Sequence, residues 1–91
     1  MLKLDLSRHA EKFLKKLVPK HAQQIAVRIR SLQQNPLPQD RSALKGRLGE
    51  YLRANSGEYR IIYEIVGDTL YVVLVGKRND GDVYRRMKRM I

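Results

Sequence analysis

Two apolar, β-rich runs, Tyr59–Val66 and Thr69–Gly76, are separated by only the dipeptide Gly67-Asp68. A two-residue Gly-first connection between alternating segments specifies a tight antiparallel hairpin. Counting outward from that turn predicts Ile61 opposite Leu74, Tyr63 opposite Val72 and Ile65 opposite Leu70. That face is wholly apolar and must be covered by something else in the chain. The other face carries Arg60, Ile62 and Glu64 opposite Val75, Val73 and Tyr71.

The cover lies upstream. Residues 2–6 alternate Leu, Lys, Leu, Asp, Leu, the pattern of a short half-buried strand. Ser7 then sits where a helix N-cap belongs. Ala10, Phe13, Leu14, Leu17 and Val18 recur at helical spacing. Pro19 ends that helix and opens a second, whose stripe is Ala22, Ile25, Ala26, Ile29 and Leu32, with Val27 off it. Asn35-Pro-Leu-Pro-Gln-Asp40 stops the second helix. Residues 50–76 read as a three-stranded meander, and residues 82–91 as a short terminal helix with Val83, Met87 and Met90 inward. The expected architecture is α+β. An N-terminal strand and a helical hairpin pack on one face of a small, mainly antiparallel four-stranded sheet, closed by a short C-terminal helix. Residues 1–91 form a single domain in this reading, with room for one modest core.

Charge narrows the partners. The 91 residues hold 19 Lys and Arg against 9 Asp and Glu, a formal net charge of +10. Such a balance favours polyanions: nucleic acid, an acidic protein, or both. There is no cysteine and there are two histidines, so neither a disulfide framework nor a zinc site is expected. No cofactor or metal is called for. No apolar run approaches a membrane span, and the amino terminus does not read as a secretory signal. A cytoplasmic protein with no membrane partner is the expectation. His9 and His21 lie near helix starts, where surface or capping roles are expected.

The cations gather at one end of the predicted sheet. With Ser56-Gly57 as the preceding two-residue turn, Arg53 falls directly across from Arg60 on the face away from the helices, which Tyr51 and Asn55 share. Like charges in that relation are destabilising. Either the register differs there, or an anion sits between them. The hairpin brings Lys77-Arg78 to the same end. Strict alternation places Lys77 on the Arg53/Arg60 face, but Gly76 can break the alternation, so both cations remain candidates. Tyr84 and the basic tail follow. Gly46-Arg-Leu-Gly49 is not a phosphate loop, and no paired carboxylates or nucleophile motif occur. Arginine is a poor general base but a strong bidentate clamp on phosphate. A cluster of this kind can position RNA and stabilise a pentacoordinate phosphorane, with the ribose 2′-OH as nucleophile.

Leu44-Lys-Gly46, Tyr51-Leu-Arg53, Ser56-Gly-Glu-Tyr-Arg-Ile-Ile-Tyr63, Val75-Gly-Lys-Arg78 and Asp82-Val-Tyr84 together resemble the RelE/ParE toxin superfamily, and the last two resemble its RelE branch. The resemblance implies the toxin of a type II toxin–antitoxin pair. It implies a ribosome-dependent mRNA endonuclease that needs no metal and leaves 2′,3′-cyclic phosphate and 5′-OH ends. Arg60 matches the arginine that stabilises the phosphate in the transition state. Arg78 matches the general acid for the 5′-oxygen, and Tyr84 the tyrosine that stacks the base. Arg53 matches one of two basic residues that activate the 2′-OH, while neutral Asn55 stands at the other. Lys45, Arg47, Lys77 and Arg85 would contact RNA backbone. The implied partners are mRNA, the ribosomal A site and a small acidic antitoxin. A ParE-like gyrase poison and a non-catalytic nucleic-acid-binding module are the alternatives.

Overall fold

The computed structural model of the chain describes residues 1–43 and 51–78. The expected terminal helix over 82–91 lies outside those residues. The elements run β1 (Lys3–Leu6), α1 (Arg8–Lys16), α2 (Pro19–Gln34), β2 (Ser42–Ala43), β3 (Leu52–Ser56), β4 (Tyr59–Val66) and β5 (Thr69–Lys77). The strands form one sheet in the order β1-β5-β4-β3-β2. Four principal strands are those expected, and β2 adds a two-residue edge. All pairings are antiparallel except β1 with β5, which is parallel. The α+β architecture read from the sequence is the one observed.

The helices start and stop where their capping chemistry dictates. The Ser7 hydroxyl accepts from the Ala10 amide at 3.0 Å, the N-cap bond of α1. Pro19 opens α2, where its missing N–H costs nothing. Ile25, Ile29 and Leu32 of α2 are buried, together with Ala10 of α1, against Ile61, Tyr63, Leu70, Val72 and Val75 of the sheet. Each large aliphatic side chain so buried contributes about 1.5–3 kcal/mol. Phe13, Leu14 and Leu17 close the edge of this layer. Ala26, expected on the stripe, is instead exposed, and Val18 and Val27 lie 57% and 56% exposed. Val18 is the N-cap of α2, so the inter-helix bend turns it outward.

A polar brace ties the α2–β2 connection to this core. The buried Tyr63 hydroxyl donates to the Pro36 carbonyl at 2.6 Å. Arg28 on α2 grips Asp40 with two bonds of 2.7 Å from one guanidinium nitrogen. Burial pushes the Tyr63 phenol above its ordinary pKa, and the positive charges of Arg28 and Arg41 oppose that shift.

Both hairpin registers depart from the simple count, and both departures bear on the charged face. In β3–β4 the two-residue turn is Gly57-Glu58, since Ser56 pairs with Tyr59. Gly57 has a φ of 58°, as the first central residue of a type II′ turn requires. Arg53 therefore faces Ile62, and Asn55 faces Arg60. The expected Arg53–Arg60 opposition does not occur. In β4–β5 the count from Gly67-Asp68 holds through Tyr63–Val72 and then jumps, so that Ile62 pairs with Leu74 and Ile61 with Val75. Val73 is the extra residue of a β-bulge. Val72 and Val75 point into the helix-covered core, while Val73 and Leu74 join Ile62 in a second buried cluster flanked by Tyr51 and Tyr71.

Candidate functional site

The bulge decides which cation joins the arginines. Beyond it, Arg60 pairs with Gly76 and Tyr59 with Lys77. Lys77 thus takes the register position of the helix-side residue Tyr59. Alternation from Gly76 carries Arg78 to the face of Arg60, opposite Glu58, whose carbonyl accepts the Arg78 amide at 2.7 Å. The choice left open by counting falls on Arg78.

Arg53, Arg60 and Arg78 now lie on a diagonal across three adjacent strands. Arg53 of β3 is level with Ile62, Arg60 of β4 is two pairs further along, and Arg78 just past β5 is two pairs further again. Diagonal neighbours on a sheet face are about 7–8 Å apart, close enough for long side chains to converge on one anion without the repulsion of a directly opposed pair. Arg53 and Arg60 are half-buried and Arg78 is exposed. A side chain anchored on a strand and part-shielded from water loses less entropy when it binds than one free in solvent.

Asn55, at the position where the family comparison expects a second base, holds Arg60 instead. The Arg60 Nε donates to the Asn55 amide oxygen at 3.4 Å. At the hairpin end, Gly57, Glu58, Lys77 and Arg78 line a shallow pocket of about 390 Å³. Counting along the chain missed Glu58, which becomes a turn residue only once the register is known. Gln24 was also missed, and its side chain lies over Gly57. His21 is half-buried rather than superficial: its Nδ1 is 2.8 Å from the Tyr59 hydroxyl, and Tyr59 also meets Phe13 edge-on. His9 is exposed, as expected. Tyr84, Lys45, Arg47 and Arg85 lie outside the described residues. Among the described residues, no three His, Cys, Asp or Glu side chains gather as metal ligands would, and no helix is long and apolar enough to cross a membrane.

A helical hairpin packs on one face of a mixed sheet, and the arginine diagonal lies on the face away from the helices. Residues 4–81 match the family described as the ParE toxin of the type II toxin–antitoxin system, parDE, and the chain belongs to that family within the RelE/ParE superfamily. No curated protein matches the chain in sequence. Among solved structures, the toxin–antitoxin complex RelBE2 from Mycobacterium tuberculosis is similar at a TM-score of 0.75 and 24% identity, covering 85% of this chain and 98% of that one. The isolated E. coli RelE toxin aligns over 100% of both chains at a TM-score of 0.73 and 23% identity. A YoeB/ParE toxin from Agrobacterium tumefaciens aligns at 0.70 and 20% identity, covering 85% and 99%.

Proposed function

We propose that this toxin is a ribosome-dependent mRNA endonuclease of the RelE type. The arginine diagonal is the observation that carries the reading. In-line attack of a ribose 2′-OH on the adjacent phosphorus puts the entering and leaving oxygens on opposite sides, with negative charge on the equatorial oxygens between them. Arg60, in the middle, suits the equatorial charge. Arg53 and Arg78 flank it, one toward the entering 2′-oxygen and one toward the departing 5′-oxygen. Arg78 gives its proton to the 5′-oxygen and regains one from solvent, while the 2′-OH proton passes to water and the Arg53 guanidinium steadies the oxyanion left behind. The products are a 2′,3′-cyclic phosphate and a 5′-OH. Prepositioned cations at developing charge supply most of the acceleration in such a site. The ribosome supplies the aligned strand.

In the same reading Tyr84 stacks the base, and Lys45, Arg47, Lys77 and Arg85 take backbone phosphates. Asn55 orients Arg60 and takes no proton. The net charge of +10 suits a small acidic antitoxin as the protein partner. The RelE-like relatives from M. tuberculosis, Pyrococcus horikoshii and E. coli were each solved as complexes with an antitoxin.

The test is to map mRNA 5′ ends during translation after brief induction of wild type and Arg78→Ala. New ends within codons in wild type, absent with Arg78→Ala, support the reading. Growth arrest with intact transcripts removes it. A second reading, a ParE-like poison of DNA gyrase, is favoured by the name of the matched family. It would show as DNA breaks and filamentation with mRNA intact.

A further inference from the structure

We propose that Ser7, far from the arginines in sequence, is a positioning residue that sets the register delivering Arg78 to the site. The activity arm of its test rests on the endonuclease reading, while the structural arm does not.

A bulge breaks the ladder and leaves backbone groups that need other partners. Here Ser7 provides one. Its amide donates to the Val72 carbonyl at 2.9 Å, continuing the parallel β1–β5 ladder, and its hydroxyl donates to the carbonyl of Val73, the bulged residue itself. The same hydroxyl accepts from the Ala10 amide. Ser7 is one of two buried polar residues among those described, at 6% exposure. One side chain therefore caps α1 and clasps the bulge.

The rival register is an unbroken ladder, in which Val73 pairs with Ile62, Val75 with Arg60 and Lys77 with Glu58. It would carry Lys77 to the arginine face and turn Arg78 toward the helices. A one-residue slip is normally punished by moving apolar side chains into water. Between Val73 and Gly76 that penalty is small, because both faces are buried and every residue is apolar or glycine. Burial scarcely separates the two ladders. The Ser7 clasp, available only to a bulged strand, does.

The experiment compares Ser7→Ala, Ser7→Thr, Arg78→Ala and the Ser7→Ala/Arg78→Ala double variant. Single-turnover cleavage of mRNA on programmed ribosomes, at saturating toxin, reads activity. Amide hydrogen exchange in the free toxin reads register. An orphaned buried carbonyl corresponds to about a 5–150-fold change in equilibrium, so Ser7→Ala should slow cleavage within that range with ribosome affinity unchanged. Ser7→Thr keeps the hydroxyl and should restore the rate. On the Arg78→Ala background, Ser7→Ala should cost nothing further. The Arg78 amide should lose protection selectively, while that of Leu70 below the bulge keeps it. Equal cost of Ser7→Ala on both backgrounds, or exchange raised uniformly along β4 and β5, would overturn the proposal. If wild type cuts no RNA yet Arg78 protection still falls selectively, the endonuclease reading fails and the register role of Ser7 stands.

Discussion

Gly57 and Gly67 offer a matched pair in which backbone strain and side-chain collision can be separated. Each is the first central residue of a two-residue hairpin turn, with φ of 58° and 60°. An L-residue held there costs about 1–3 kcal/mol. At Gly67 an added Cβ meets nothing within 4 Å, so Gly67→Ala reads the backbone cost alone. At Gly57 the Cβ would run into the Gln24 side-chain amide. Gln24 must leave its rotamer, adding about 0.5–1.5 kcal/mol. Gly57→Ala should therefore melt lower than Gly67→Ala by about 2–12 °C, at about 4–8 °C per kcal/mol for a domain of this size. Circular dichroism melts and urea titrations of both variants, with and without Gln24→Ala, provide the assay. In the Gln24→Ala background the two glycine variants should converge. If Gly57→Ala stays lower by the same margin, the collision is not the cause and the reasoning is wrong.

Other outcomes follow from the same geometry. Arg78→Ala should slow single-turnover cleavage by about 10²–10³-fold while leaving the unfolding free energy within about 0.5 kcal/mol of wild type, because the residue is exposed. Tyr63→Phe should cost about 1–3 kcal/mol through the orphaned Pro36 carbonyl. It should also flatten the alkaline limb. Burial raises the Tyr63 pKa above 10.0, so its contribution is whole below that pH and drains away as pH rises through the folded-state value. Stability measured from pH 8 to 11.5 should thus fall less steeply in Tyr63→Phe than in wild type. Asp40→Asn should cost about 0.5–1 kcal/mol at low ionic strength and less in 1 M NaCl, since Asp40 is 53% exposed and its pair with Arg28 is open to screening.

The helical layer was legible because its signals are local. Ser7 and Pro19 mark starts, and Ile25, Ile29 and Leu32 recur on one side of a cylinder. The Gly67-Asp68 turn was legible for the same reason. The β3–β4 turn was misplaced by one residue because Ser56-Gly57 and Gly57-Glu58 are both acceptable pairs. Preference for glycine at the first central position, already satisfied by Gly67-Asp68, would have selected the correct one. The bulge left no such trace. Val72, Val73, Leu74 and Val75 are apolar on both faces, so alternation carries no information where the count changes. The face of Arg78 depends on that count, so the gathering of Arg53, Arg60 and Arg78 at one end of the sheet was readable while their relative placement was not.

The parallel pairing of β1 with β5 has a consequence for synthesis. Lys3–Leu6 can join the sheet only after Thr69–Val72 has been made, and Ser7 meets Val73 across 66 residues. Closing such a loop comes late and is slow, because its entropy must be lost before any contact rewards it. The hairpin β4–β5 can form earlier, with its bulge unclasped. The arginine diagonal then becomes accurate only in the final step of folding, after β5 has cleared the tunnel. A nascent chain whose β5 has not yet emerged would carry the charge of the toxin without its register.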